Sequence, residues 1–276
     1  MSRKVRTCSS STFNTGKSSC PIPYGKVKEI ILAPVDYVLD DDITGAELLT
    51  ACHADMPNRI FPIVGIVEYA GDGGDANVSA VGYGPNEYNG LNPYTDQCTV
   101  GKYDAGLVAN LIKAANSPLA AFLVDEDNVI HGKRDGEGNF KGYPMASIYP
   151  SAVPHATSGS KATLVVNLAH EDVEDDWLNY DFIQLDYNPA NYLVGLVEVT
   201  LESAGSGKYK IVEKVGGLDV TANFGPALAE GASTCLPGAS SVSYNSADET
   251  ISASGTVSLA KPSVLHAAGV DGIILG

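Results

Sequence analysis

A strict two-residue period runs through residues 193–214. In Leu193 to Glu202, Val197, Val199 and Leu201 fall on one side of the chain, and Glu198, Thr200 and Glu202 fall on the other. Successive side chains point to opposite faces only in a strand, so this stretch is a half-buried β-strand. Ser203 to Gly207 then supplies a turn and Lys208 to Lys214 a return strand, which sets lysines against glutamates across a hairpin. The same alternation recurs in Lys161 to Ala169, where Leu164, Val166 and Leu168 oppose Thr163, Val165 and Asn167. A chain built on these periods needs an antiparallel β scaffold.

The remaining segments fit that scaffold. Ile30 to Val35 is an apolar run whose Pro34 predicts a sheet edge or bulge, and Ile60 to Tyr69 is a further strand. Gly71 to Asp75 reads as a turn leading into Val78 to Tyr83, which predicts a hairpin with Ile60 to Tyr69; residues 84–100 read as a long Gly-, Pro-, Asn- and Tyr-rich loop suited to contacts. Leu119 to Val124 and Phe140 to Tyr149 are also strand-like. Two helices interrupt them. Thr44-Gly45-Ala46-Glu47 is a capping box opening a helix near 44–55, stopped by Pro57, and Leu107, Leu111 and Ala115 recur four apart in a helix near 103–116. The fold class is therefore α+β and mostly β: an antiparallel sheet or sandwich core over 26–216 with short flanking helices, and a small C-terminal β-region over 217–276.

Charge is segregated along this chain. Arg3, Lys4, Arg6, Lys17, Lys26 and Lys28 precede the first acidic residue, Glu29, so the first 28 residues carry +6. Eleven basic and thirty-three acidic residues follow, a net −22, and the whole stands at −16. That balance opposes sequence-specific nucleic-acid binding. Residues 1–25, rich in Ser, Thr, Gly and Pro, read as an extended arm, and a basic arm on an acidic body is suited to docking on a neighbouring copy. Five cysteines at long irregular spacings, with no C-x-x-C pair, read as reduced buried thiols. The N-terminus lacks the apolar core of a secretory signal, and no apolar run approaches the roughly 18 residues of a membrane span, so the expected site of synthesis is the cytoplasm.

The motifs of common chemistries are missing. No Walker or dinucleotide glycine loop follows a strand, and aspartates bracket Gly71 to Gly74. His170-Glu171 has no second histidine one turn on. The carboxylates at 171, 172, 174, 175 and 176 read as a solvated acidic turn, with calcium the weaker reading. Cys52 and His53 point about 100° apart on a helix and cannot easily share an ion. His131, His155 and His266 stand alone in sequence, and no Gly-x-Ser-x-Gly elbow is present. Trp177, Tyr180, Tyr187 and Tyr192 pack a core edge or interface more naturally than they stack on sugar. The expectation is a protein with no catalytic residue, no cofactor and no metal.

Three runs carry a family resemblance: Arg6 to Lys17 (RTCSSSTFNTGK), Pro57 to Ile60 (PNRI) and Ser79 to Asn86 (SAVGYGPN). They resemble stretches of phage and prophage proteins, and with the arm, opening strand, amphipathic helix and hairpins the chain looks like a virion structural protein of a tailed bacteriophage, most like a tail-tube (major tail) protein. The resemblance implies a non-enzymatic subunit that joins copies of itself and other virion proteins, forms rings around an acidic DNA channel, touches no membrane, and ends in the virion, the tail foremost. Its expected contact residues are Arg3, Lys4, Arg6, Lys17, Tyr24, Tyr88 and Tyr94. A capsid-associated or head–tail protein is the alternative within that class, and a carbohydrate-binding or adhesin module the alternative outside it.

Overall fold

The computed structural model describes residues 24–80, 82–151 and 155–276. The fold is mostly β, in antiparallel sheets with a few short helices, as the period-two segments require. The chain opens with β1 (Val27–Pro34), α1 (Gly45–His53) and β2 (Phe61–Val64). It then runs through β3 (Ile66–Gly73), β4 (Ala76–Ala80), β5 (Asn86–Leu91) and β6 (Tyr94–Val100) to α2 (Ala105–Ala114). After α2 come β7 (Leu119–Asp125), β8 (Val129–Arg134), the two-residue β9 (Phe140–Lys141), β10 (Tyr143–Pro150), β11 (Leu164–His170), α3 (Val173–Leu178) and β12 (Tyr180–Gln184).

Strand β7 organises the large sheet. One of its edges pairs with β1 from Val27↔Asp125 to Pro34↔Leu119. The other edge forks, with β8 pairing at Leu123 and Val124 and β10 pairing at Ala120 and Ala121. The fork brings β10, β11, β6 and β3 back over the layer made by β2, β1, β7, β8 and β12. Between the layers lie Ile30, Leu32, Leu123, Cys98, Leu164, Val166 and Leu168, with Leu111 of α2 packed among them. On the outer face of β1 and β7, Ile31, Phe122 and Val124 pack against Leu48 and Cys52 of α1 and against Phe140. Both faces of these two strands are covered over residues 30–34 and 119–124, which is why those stretches are unbroken apolar runs and not alternating ones. Pro34 is the last residue of a central strand, not the mark of an edge; there it ends the ladder.

The capping box forms as the sequence requires. Thr44 Oγ1 accepts from the Glu47 amide at 3.3 Å, and the Thr44 amide donates to Glu47 Oε2 at 2.8 Å. The other helix near 103–116 is α2, capped by Asp104, whose carboxylate accepts from the Leu107 amide at 2.9 Å.

Two expectations about residues 60–100 are corrected. The strand ending near Tyr69 does not pair with Val78 to Tyr83; β3 pairs with β6 and β4 pairs with β5. Residues 84–100 are not a loop but the returning limb of one long hairpin. Its two limbs stay joined between the paired segments by Gly74 N–H to Pro93 C=O at 3.1 Å and Asn92 N–H to Asp75 C=O at 2.9 Å. Alternation alone names a strand and not its partner, and the nearest turn signal is the natural choice.

The remaining elements are β13 (Val197–Gly205), β14 (Lys208–Glu213), α4 (Thr221–Cys235), β15 (Ala239–Asn245), β16 (Thr250–Gly255), α5 (Pro262–Ala267) and β17 (Ile273–Leu275). They form a five-stranded sheet in the order β15-β16-β14-β13-β17, closed by a parallel β13–β17 pair. Val199, Ile211, Leu228, Leu236, Ile251, Leu265 and Ile273 fill its core. The hairpin over 193–214 forms with Glu202 opposite Lys210, but it pairs with strands from beyond residue 217 and not with the large sheet. Helix α4 is interrupted at Ala232, where φ is 46° and ψ is −125°. Its Gly225 lets the Tyr244 ring approach so closely that a Cβ there would lie 2.6 Å from it, so tertiary packing holds a helix that propensity disfavours.

Candidate functional site

Where the base of the long hairpin meets the large sheet there is a cleft of about 600 Å³ lined by Tyr24, Tyr69, Tyr94, His131, His170 and Trp177, among others. β6 presents Asp96 and Cys98 inward, and β11 continues its inward series Leu164, Val166, Leu168 to His170. The cleft wall is therefore the polar end of the same face that forms the core.

His170 is the centre of a buried chain of ionic bonds. Its Nδ1 lies 2.7 Å from Asp176 Oδ2 and its Nε2 lies 2.9 Å from Asp96 Oδ2. Asp176 and Asp96 are 0% and 2% exposed. Lys133 Nζ donates to the other oxygen of Asp176 at 2.8 Å and to Asp175 at 2.7 Å. Tyr69 donates its hydroxyl to Asp96 Oδ1 at 2.6 Å, 2.9 Å from the Tyr94 hydroxyl. Burial works against a charge on His170, but the Asp176 and Asp96 carboxylates outweigh it and hold the imidazolium, with its pKa raised to about 9. The rings of Tyr94 and Tyr143 flank it at 5.4 and 5.5 Å, as they would a cation.

His131 is a second, neutral histidine. Burial lowers its pKa despite Asp125, whose Oδ2 lies 3.0 Å from its Nε2. Its Nδ1 is 2.8 Å from the Tyr180 hydroxyl, so a neutral ring donates from Nε2 to Asp125 and accepts from Tyr180. Asp125 also accepts from the amides of Gly25, Asp127 and Val129, which anchors the start of β1 to the end of β7. The Tyr24 ring, 71% exposed, stacks on His131 at 4.7 Å.

The expected contact residues are divided by this geometry. Arg3, Lys4, Arg6 and Lys17 lie outside the described residues. Tyr24 and Tyr94 meet in the cleft, whereas Tyr88 stands on β5, 55% exposed. The carboxylates at 171–176 are not merely a solvated turn: Asp172 caps α3 by accepting from the Asp175 amide, and Asp176 is fully buried. His131 and His266, alone in sequence, both have carboxylate partners, Asp125 and Asp271. Of the four clustered aromatics, Trp177 lines the cleft, Tyr180 serves His131, and Tyr187 and Tyr192 meet edge to face at 5.4 Å beside the core. Cys52, Cys98 and Cys235 are buried and free, and burial pushes Cys52 up to about 11 and Cys98 up to about 12. Among the described residues no helix is long and apolar enough to cross a membrane.

The second feature that bears on function is the hairpin beyond the cleft. Every residue of β4 is exposed, as are Asn86 to Asn89 of β5, and Val78, Tyr83 and Tyr88 lie open to solvent. A two-stranded ribbon with both faces in water is marginal by itself.

No protein-family model matches the chain, and no curated protein does. Two solved structures of the anti-feeding prophage are similar to part of it. One is a chain of the baseplate, 12% identical, covering 61% of this chain and 100% of that one at a TM-score of 0.27. The other is a chain of the tube-terminating cap, 10% identical, covering 62% of this chain and 99% of that one at a TM-score of 0.28. Superpositions this loose carry no functional weight.

Proposed function

We propose that this chain is a structural subunit of a phage-like particle that assembles with copies of itself into tail-tube rings around an acidic DNA channel. The observation that carries the proposal is the exposed β4–β5 ribbon. It holds Val78, Tyr83 and Tyr88 in water on an element that needs a partner, and β3, to whose limb it belongs, is the last strand of its layer and so leaves an edge free. A second copy supplies the complement: a ribbon from one subunit covers the open edge of the next, a heterologous contact that closes into rings. The net charge of −16 suits a lumen that repels phosphate.

The buried histidines fit a structural role better than a catalytic one. Both nitrogens of His170 are engaged by carboxylates, and a group protonated up to about pH 9 is no base at neutral pH. The test is negative-stain microscopy and sedimentation of the full chain beside a variant in which residues 76–91 are replaced by an Asn-Gly turn joining β3 to β6. Rings or tubes from the full chain and monomer from the shortened one are expected. Equal assembly by both, or a full chain that stays monomeric at every concentration, overturns the reading. The aromatic lining of the cleft favours one other reading, a glycan-binding module, for which a persistent monomer retained by immobilised oligosaccharide is the signature.

A further inference from the structure

The five-stranded sheet is fastened to the body where α1 meets α5, and the contact is built from metal-ligand residues. His53 of α1 stacks on His266 of α5 at 4.7 Å, with 15° between the rings. Asp271 Oδ1 lies 2.6 Å from His266 Nδ1 and 3.6 Å from His53 Nε2, and one ligand atom from each of the three residues falls within 4.8 Å of the others. Each ring is held through its other nitrogen by α1. His53 Nδ1 lies 2.8 Å from the Leu49 carbonyl, which can only accept, so the Nε2 lone pair faces the cluster. Thr50 Oγ1 gives its own proton to the Ala46 carbonyl at 2.8 Å and so can accept from His266 Nε2, 3.4 Å away, while the 2.6 Å contact of Nδ1 with Asp271 is a hydrogen bond whose proton an ion displaces. Outer-shell partners that fix the free nitrogen are the usual support of a histidine ligand.

From this geometry we propose that His53, His266 and Asp271 bind a zinc-like divalent transition-metal ion that clasps the C-terminal sheet to the body. Two imidazoles and a carboxylate are a zinc-type donor set, and water completes four-coordination on the open side. In a tetrahedral site with bonds of about 2.1 Å, ligand atoms stand about 3.4 Å apart. The His53–Asp271 separation already approaches that value. His266 and Asp271 must part by somewhat under 1 Å, and their side chains are 23% and 40% exposed, while His53, 1% exposed, stays fixed. The ion replaces the Gly272 amide, which now donates to His53 Nε2 at 3.0 Å.

The full chain, stripped by chelator, is titrated with zinc and cobalt(II) chloride by calorimetry and visible absorption. One ion per chain, a four-coordinate cobalt spectrum without a sulfur charge-transfer band, and a raised Tm are expected. Asp271→Asn and His266→Gln should each weaken binding tenfold or more. Asp271, the more exposed of the two, is the variant expected to keep its fold, checked by circular dichroism. Absence of saturable binding, unchanged affinity in both variants, or a sulfur band that places the ion on cysteine overturns the proposal.

Discussion

At the scale of single residues, the ion chain around His170 links stability to pH. The group's pKa rises from the ordinary 6.5 to about 9 on folding. A base stabilised in its charged form contributes fully below about pH 6.5, and the contribution is lost as pH climbs through about 9. The shift corresponds to a stabilisation on the order of 3 kcal/mol. Glu29 acts in the same direction at lower pH: burial, opposed by Lys28 and helped by the charge of Asp125, raises its carboxyl to about 7, so its neutral form is favoured on folding. Its contribution is therefore present below about pH 4.5 and lost by about 7. His131, whose neutral form folding favours, opposes Glu29 below about pH 6.5, so urea midpoints should fall from about pH 6.5 to 9. His170→Gln should abolish the upper part of that slope and cost about 3 kcal/mol at pH 6, because it leaves Asp96 and Asp176 buried without their cation.

At the scale of elements, packing overrules propensity in two helices. Gly45→Ala places a good helix former at the first position of α1, yet its Cβ would lie 2.4 Å from the Tyr192 ring. Overpacking costs about 1–3 kcal/mol against a gain of at most about 1, so the variant should melt below the parent in a thermal scan. Thr44→Ala should cost about 1 kcal/mol through the lost cap, by the same measurement. The elements show where sequence was legible. Local rules found α1, α2, the 193–214 hairpin and most of the strands, because capping, period and turns act within a few residues. Partners lay beyond them: Asp96 and His170 are 74 residues apart, and His53 and Gly272 are 219 apart. The inward series Leu164, Val166, Leu168 did extend to His170, so its burial was readable while its partners were not. Helix α4 was missed because Gly225, Pro226 and Gly231 suppress the local signal that Tyr244 and the β15 face override.

At the scale of the whole molecule, charge sets the expected response to salt. Removing residues 1–23 deletes Arg3, Lys4, Arg6 and Lys17 and makes the chain more acidic. If the basic segment docks on a neighbour's acidic body, the truncated chain should fail to self-associate at low salt, and the intact chain should dissociate as salt shortens the Debye length from about 10 Å toward 3 Å. Light scattering across an ionic-strength series reads both, and indifference of both chains to salt and truncation would remove charge from the account. The fork in β7 has a different consequence. Since one strand hydrogen-bonds to β1, β8 and β10, neither layer can peel away while the other persists. Amide protons of β1 and β7 should therefore exchange with deuterium only through global opening, with one common free energy of opening once intrinsic rates are divided out, well after those of the β4–β5 tip have been replaced.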